Sequence, residues 1–169
     1  ITTRNVAVGI SSQRVFTTTA DFDKIAPNEL EKTIKYQADS LIPTPLAESK
    51  MDWSVLGQSP KDPKKVEVLL SSVPNSHIEQ RLDALETIGL NVIAFEPEAL
   101  ALSRAVIPSN ATTPYIILDI GNKYTDLVIA IGNAPRLVRS IAVGSDAIIK
   151  AASQNLNVDE AQAEQFVFK

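Results

Sequence analysis

The sequence predicts a mixed fold of the α+β or α/β class, in which a unit of alternating strands and helices precedes an antiparallel segment. Residues 15–95 show the order strand, helix, strand, strand, helix, strand. A proline-containing stretch at 108–114 separates this unit from three strand patterns joined by short loops. Hydrophobic residues make up 44% of the 169, which is enough for a buried core.

The first predicted elements are two strands and a helix. Residues 5–10 alternate apolar and polar side chains, which is typical of a half-buried strand. Residues 15–22 include three threonines, which favour a pleated sheet. Pro27 suits the start of a helix that covers 29–40, and a proline-rich turn ends that helix. The apolar side of this helix consists of Leu30, Ile34 and Ala38.

A hairpin, a second helix and a further strand follow. Residues 51–56 and 65–73 form two strands joined by a polar loop, and residues 76–88 have apolar side chains at helical spacing. Gly89 suits the end of this helix, and residues 90–95 form the next strand. This order is the split βαβ arrangement of a ferredoxin-like fold. We therefore expect a four-stranded antiparallel sheet with both helices on one face.

The rest of the chain predicts a helix at 97–106, three strands and two final helices. The strands cover residues 115–120, 124–131 and 136–141. Because the loops between them are short, neighbouring strands must be antiparallel. One final helix covers 145–155, and another begins near 158, where Asp159 and Glu160 suit a helix N-terminus.

Charge and residue types exclude several functions. The net charge is −4 with both signs interspersed, so no basic surface is available for a nucleic acid. There is no cysteine, which excludes disulfides and thiolate metal sites and fits a reducing compartment, and His77 is the single histidine. No apolar run approaches the roughly 18 residues of a membrane helix. The start at Ile1 and the apolar end at 166–168 predict a central piece of a longer protein.

The most informative segment, residues 117–127, is an apolar strand that ends in a turn before a second strand resumes. Gly121 allows backbone amides of the turn to approach phosphate oxygens, and Asp119 can hold a magnesium ion through water. Asn122 lies in the same turn, and Thr125 can add a hydroxyl donor. The alternative interpretation is an ordinary turn that binds nothing, because aspartate and glycine are common turn residues.

This segment resembles the second phosphate loop of the actin-like ATPases, the superfamily that includes actin, heat-shock chaperones, sugar kinases and FtsA. Within it, the sequence is most similar to the PilM family of type IV pilus assembly. The similar segments follow the order of that family, at residues 35–46, 51–57, 82–90, 95–102, 139–146 and 161–164. The resemblance assigns Gly144 to the family's glycine-rich turn at the nucleotide. The sequence departs from the family at Ser145, which often is a second glycine, and at Thr44, which usually is aromatic.

The resemblance implies an actin-like, ribonuclease H-like core of two lobes, with the ferredoxin-like split βαβ unit inserted into the first lobe. On this division, residues 1–14 belong to the first lobe and residues 15–96 to the inserted subdomain. Residues 97–113 form a return helix and linker, and residues 114–169 begin the second lobe.

The resemblance also implies ligands and partners. The intact protein is expected to bind ATP and magnesium, whereas this chain holds one of three parts of the nucleotide site and is expected to bind none and to be inactive. The implied partner is the N-terminal tail of PilN, an inner-membrane protein, in a groove between the first lobe and the inserted subdomain. This implies a cytoplasmic protein at the inner membrane, among other pilus assembly proteins.

Three other functions remain open from the sequence. An actin-like sugar kinase needs a catalytic base, for which Asp126 is the candidate. An FtsA-like division protein has a comparable insertion, and the cytoplasmic domain of a type II secretion protein shares the fold. Strands at 5–10 and 115–141 are expected to expose unpaired edges, which predicts self-association.

Overall fold

A computed structural model describes residues 2–132 and 134–169. Its strands and helices are, in chain order, β1 (Asn5–Ile10), β2 (Phe16–Asp23), α1 (Pro27–Leu41), β3 (Ser49–Gln58), β4 (Lys65–Pro74), α2 (Asn75–Thr87), β5 (Asn91–Pro97), α3 (Glu98–Val106), β6 (Pro114–Ile120), β7 (Thr125–Ile131), β8 (Ala134–Ile141), α4 (Ser145–Leu156) and α5 (Glu160–Phe168). The predicted elements are all present, with ends within two residues of those expected. Among the described residues, no helix is long and apolar enough to cross a membrane.

The predicted split βαβ unit forms only in part, from β2, α1, β3 and β4, and α2 packs with β5 and β4 rather than beside α1. Its sheet has the order β2-β4-β3, with β4 antiparallel to both neighbours. The apolar side of α1 packs on this sheet because its spacing puts Leu30 and Ile34 on one face of the helix. The buried core consists of Phe22, Leu30, Ile34, Val68 and Leu70.

The prediction that β5 is the fourth strand of this sheet is wrong. β5 does not join β2, β3 and β4 but pairs in parallel with β1, from Asn5 opposite Asn91 to Ile10 opposite Pro97. Parallel strands need a long connection, and here the whole βαβ unit supplies it. The pairing seats Phe95 against a core cluster that contains Ile10. We therefore propose that the inserted unit ends before β5 rather than at residue 96.

The predicted three-stranded antiparallel segment is confirmed, with the order β6-β7-β8. Helix α3 packs on one face of this sheet, where the buried residues are Ala99, Ile107, Val128, Ala130 and Val138. On the other face, Ile116, Leu118 and Ile120 are between 57% and 69% exposed. Helices α4 and α5 pack against each other, and the Asp159 carboxylate caps α5 by accepting from the Gln162 amide at 2.7 Å.

A mostly buried ion pair joins the β6-β7-β8 sheet to the βαβ unit. The Arg136 Nε atom on β8 lies 2.7 Å from Glu67 Oε2 on β4, with the two side chains 20% and 12% exposed. Removing one member of such a pair leaves the other charge without a partner in a poorly hydrated place. This contact therefore ties β8 to the sheet of the βαβ unit, whose strand β2 is the one that lies next to β8.

Replacing Arg136 with methionine keeps much of the aliphatic stem and removes the charge. We expect a loss of about 1–3 kcal/mol in the free energy of unfolding, because Glu67 keeps its charge without a partner. Urea unfolding measures the loss. The matched control is Lys35→Met, whose pair with Glu31 is 62% and 48% exposed, so that its loss should change the stability little. Equal losses in the two variants would contradict the structural role of the Arg136 pair.

Candidate functional site

The turn between β6 and β7 forms a cleft with residues that follow β1 and β5. The Gly121 amide donates to the Tyr124 carbonyl at 2.9 Å, which closes the turn. Asp119 and Asp126 lie directly opposite each other on the two strands. The cleft has a volume of about 200 Å³, and its lining comprises Ser11, Gln13, Glu98, Asp119, Gly121, Asn122, Lys123, Tyr124 and Asp126.

The N-terminus of α4 docks onto this turn. The Ser145 amide donates to the Gly121 carbonyl at 2.9 Å, and the Asp146 amide donates to the Asn122 carbonyl at 3.0 Å. The Ser145 hydroxyl lies 3.1 Å from Asn122 Oδ1 and donates to it. A helix N-terminus offers its first amides to anions, but here the turn already accepts from two of them.

Gly144 is required by the close approach of α4 to the turn. A Cβ atom at this position would lie 2.4 Å from the carbonyl oxygens of both Gly121 and Asn122. The φ angle of Gly144 is −138°, which other residues adopt readily, so space rather than backbone conformation demands glycine. The structure thus gives Gly144 a packing role in the turn, next to the residues predicted to bind nucleotide.

The five residues predicted for the nucleotide site lie together, but they differ in what they offer a ligand. The Thr125 hydroxyl donates to the Val143 carbonyl at 2.8 Å, so its hydrogen is already used. Asp126 accepts from the Ser140 hydroxyl. Among the described residues, the Asp119 carboxylate has no hydrogen-bond partner. Asp119 is therefore the predicted residue most available to a cation.

Sequence reasoning missed three residues of the cleft, Ser11, Gln13 and Glu98. They reach it because the parallel pairing of β1 with β5 brings the ends of both strands to the same side. Glu96 is separate from this group. Its carboxylate is paired with Arg104, and the hydrogen bond from Arg104 holds the pKa of Glu96 below its usual value.

A second candidate site is an apolar groove between the βαβ unit and the elements β1, α2, β5 and α3. Its volume is about 260 Å³. Its lining comprises Ile10, Lys50, Met51, Asp52, Trp53, Ser54, Leu69, Ser71, Val73, Ile78, Phe95, Pro97 and Leu100. Trp53 also packs against the core between the sheet and α1. The sequence carried no local signal for the groove, because its walls come from segments far apart in the chain.

The fold is that of the actin-like proteins. The PilM chain of a PilM-PilN type IV pilus biogenesis complex superposes with a TM-score of 0.74 and 23% identity, over 98% of this chain and 51% of that one. The cytoplasmic domain of EpsL, an inner-membrane component of the type II secretion system of Vibrio cholerae, superposes with a TM-score of 0.54 and 16% identity, over 92% of this chain and 57% of that domain.

The family model of the type IV pilus assembly protein PilM matches residues 1–167. The chain therefore belongs to the PilM family, as the sequence indicated, and the match favours PilM over a sugar kinase or an FtsA-like division protein. The chain spans about half of the PilM chain and just over half of the EpsL domain with which it superposes.

Substitution of Gly144 by alanine tests the docking of α4 on the turn. We expect the free energy of unfolding to fall by about 1–3 kcal/mol, because the added methyl group forces two backbone segments apart. Thermal or urea unfolding measures this. Gly9→Ala is the matched control, since its Cβ would lie 3.6 Å from the Glu98 Cγ atom, an ordinary contact. A Gly144→Ala protein as stable as the control would show that α4 does not hold this position.

Proposed function

We propose that this chain is part of a PilM-type scaffold whose apolar groove receives the N-terminal tail of a PilN-like inner-membrane protein. The groove itself is the observation that carries the proposal. Most of its lining is apolar, and its walls come from the two parts of the chain between which the family resemblance puts the tail. An exposed apolar groove favours a partner segment that buries it.

The comparison with a solved complex supports the identity of the partner. The PilM chain with the TM-score of 0.74 was solved as a PilM-PilN complex. We also propose, as the family resemblance implies, that the scaffold lies on the cytoplasmic side of the inner membrane, among other pilus assembly proteins. We also propose self-association through the outer edges of the β6-β7-β8 sheet, since among the described strands β6 and β8 each have a neighbour on one side only.

An arginine in the groove wall tests the proposal. Leu100→Arg adds a charge and bulk to the apolar lining, and we expect it to weaken binding of a synthetic PilN-like N-terminal peptide by about tenfold or more. Calorimetric titration measures the affinity. Ala105→Arg is the matched control, because it lies on the same helix at an exposed position outside the groove lining. Circular dichroism checks that both variants fold, and equal affinities would contradict the proposal.

We also propose that the turn after β6 is one part of a magnesium-nucleotide site. The unpartnered carboxylate of Asp119 supports this, because a like charge directly opposite, on Asp126, favours a cation between or near them. A second cavity of about 510 Å³ adjoins Asn122 on the α4 side, with Ser145, Lys150 and Glu164 in its lining. The other parts of the site would come from a longer protein.

Asp119→Ala should weaken magnesium-nucleotide binding in a protein of full PilM length by about 1.5–3 kcal/mol, the range of a charge-assisted hydrogen bond. Asp126→Ala should have a smaller effect, because Ser140 already donates to that carboxylate. Titration with a fluorescent ATP analogue, with and without magnesium, compares the two. Equal losses of affinity in the two variants would contradict the assignment of Asp119. Unchanged binding in both variants would show that the turn is not part of the nucleotide site.

A further inference from the structure

The groove runs along the outer edge of strand β3. In the sheet order β2-β4-β3, the described strands give β3 a neighbour on one side only, β4. All five consecutive residues from 50 to 54 line the groove, although alternate side chains of a strand point to opposite faces. The groove therefore meets the backbone edge of β3 as well as one face of its sheet.

The backbone pattern of the hairpin shows which groups of β3 point outward. The Ser59 amide donates to the Lys65 carbonyl at 2.9 Å just beyond the strand, and hydrogen-bonded pairs alternate along an antiparallel ladder. On β4, every second residue from Lys65 therefore bonds towards β3. The residues between, which include Leu70 opposite Trp53, bond towards β2 instead. By this alternation, the backbone groups of Met51 and Trp53 point away from β4 and towards the groove.

One of these outward amides is already occupied. The Trp53 amide donates to Asp52 Oδ1 at 2.8 Å. Charged side chains on an edge strand are a known means of blocking unwanted strand pairing. Here the Asp52 carboxylate accepts from the Trp53 amide, a donor that an incoming strand needs for pairing. The edge also has a defined end, because the ladder with β4 is irregular between Val55 and Gly57.

The charges of the lining indicate what kind of segment fits. Its charged residues are Lys50 and Asp52, which have opposite signs and lie two residues apart on β3, and much of the rest is apolar. Such a surface complements an extended apolar segment without net charge better than an acidic or basic one. Ile10, Phe95 and Leu100 form the wall that faces the side chains of such a segment.

We propose that the partner segment binds as an added strand on β3 and that Asp52 gates this edge. The backbone of the segment pairs with the outward groups of Met51 and Trp53, and its alternate apolar side chains contact the opposite wall. For the pairing to form, the Asp52 carboxylate leaves the Trp53 amide and a carbonyl of the segment replaces it. This inference rests on the proposed partner site in the groove and specifies how the partner is held there.

A scan of the peptide backbone tests the added strand. A synthetic peptide of the PilN-like partner's N-terminal tail is methylated at one backbone nitrogen at a time, which removes one donor without changing a side chain. Strand pairing predicts losses of about tenfold at every second position and under about threefold at the positions between, which serve as matched controls. A uniform response along a peptide that binds unmodified would overturn the inference and leave the proposed function standing. Failure of the unmodified peptide to bind the wild-type chain would overturn both.

Substitution of Asp52 tests the gate. Asp52→Ala frees the Trp53 amide, and we expect the unmodified peptide to bind about three- to tenfold more tightly, since one competing hydrogen bond is lost. Asp62→Ala is the control, because the Asp62 carboxylate also accepts from a backbone amide, that of Lys64 at 2.9 Å, outside the groove. This control should leave affinity unchanged. Weaker or unchanged binding in Asp52→Ala would overturn the gating role.

Discussion

The parallel pairing of β1 with β5 is the constraint on which both candidate sites depend. It brings Ile10 opposite Pro97 across the sheet, so that the strand before the βαβ unit and the strand after it share one core cluster with Val73. The groove lies where this pair meets the sheet of the inserted unit. At the carboxyl ends of the same two strands, Ser11 and Glu98 reach the cleft at the β6–β7 turn. Ligand sites commonly lie at the carboxyl ends of parallel strands.

The turn after β6 shows that a structural and a functional interpretation can hold for the same residues. The carbonyls of Gly121 and Asn122 accept from the first amides of α4, which is enough to explain why glycine follows at 144. The same contacts hold the turn in place beside Asp119, whose carboxylate is left without a partner among the described residues. A turn held in this way would meet a ligand without rearrangement. Packing thus supplies the rigidity that the proposed nucleotide site requires.

Strand β8 links the two sites. Near its start, Arg136 pairs with Glu67 on β4, the strand whose residues 69, 71 and 73 line the groove. Just beyond its end, the Val143 carbonyl accepts from Thr125 at the β6–β7 turn. One strand therefore lies close to both regions.

Much of this fold could be predicted from the sequence, because local patterns determine its elements. The spacing of Leu30 and Ile34 predicted the packing side of α1, and short loops predicted the antiparallel β6-β7-β8 sheet. The pairing of β5 could not be predicted in this way. Its alternation of side chains is the same whether it joins β2 or β1, and the choice depends on contacts with Ile10, more than 80 residues earlier.

In the candidate sites too, features formed by residues close in sequence could be predicted, and features that depend on distant residues could not. Asp119, Gly121, Asn122 and Thr125 are close in sequence, so their turn could be predicted as one site. Their hydrogen bonds could not, because the acceptor for Thr125 lies 18 residues away at Val143. The residues of the groove could not be named before β1, β3, β4, α2, β5 and α3 had been assembled.

Differential hydrogen exchange tests whether the groove built on the β1–β5 pair receives the proposed partner. The exchange of backbone amides is measured in the chain alone and with a saturating PilN-like N-terminal peptide. We expect slower exchange in residues 50–54 of β3 and in the groove walls at 69–73 and 95–100, with the β6–β7 turn at 119–126 unchanged. Protection confined to that turn, or to the exposed face of the β6-β7-β8 sheet, would contradict it.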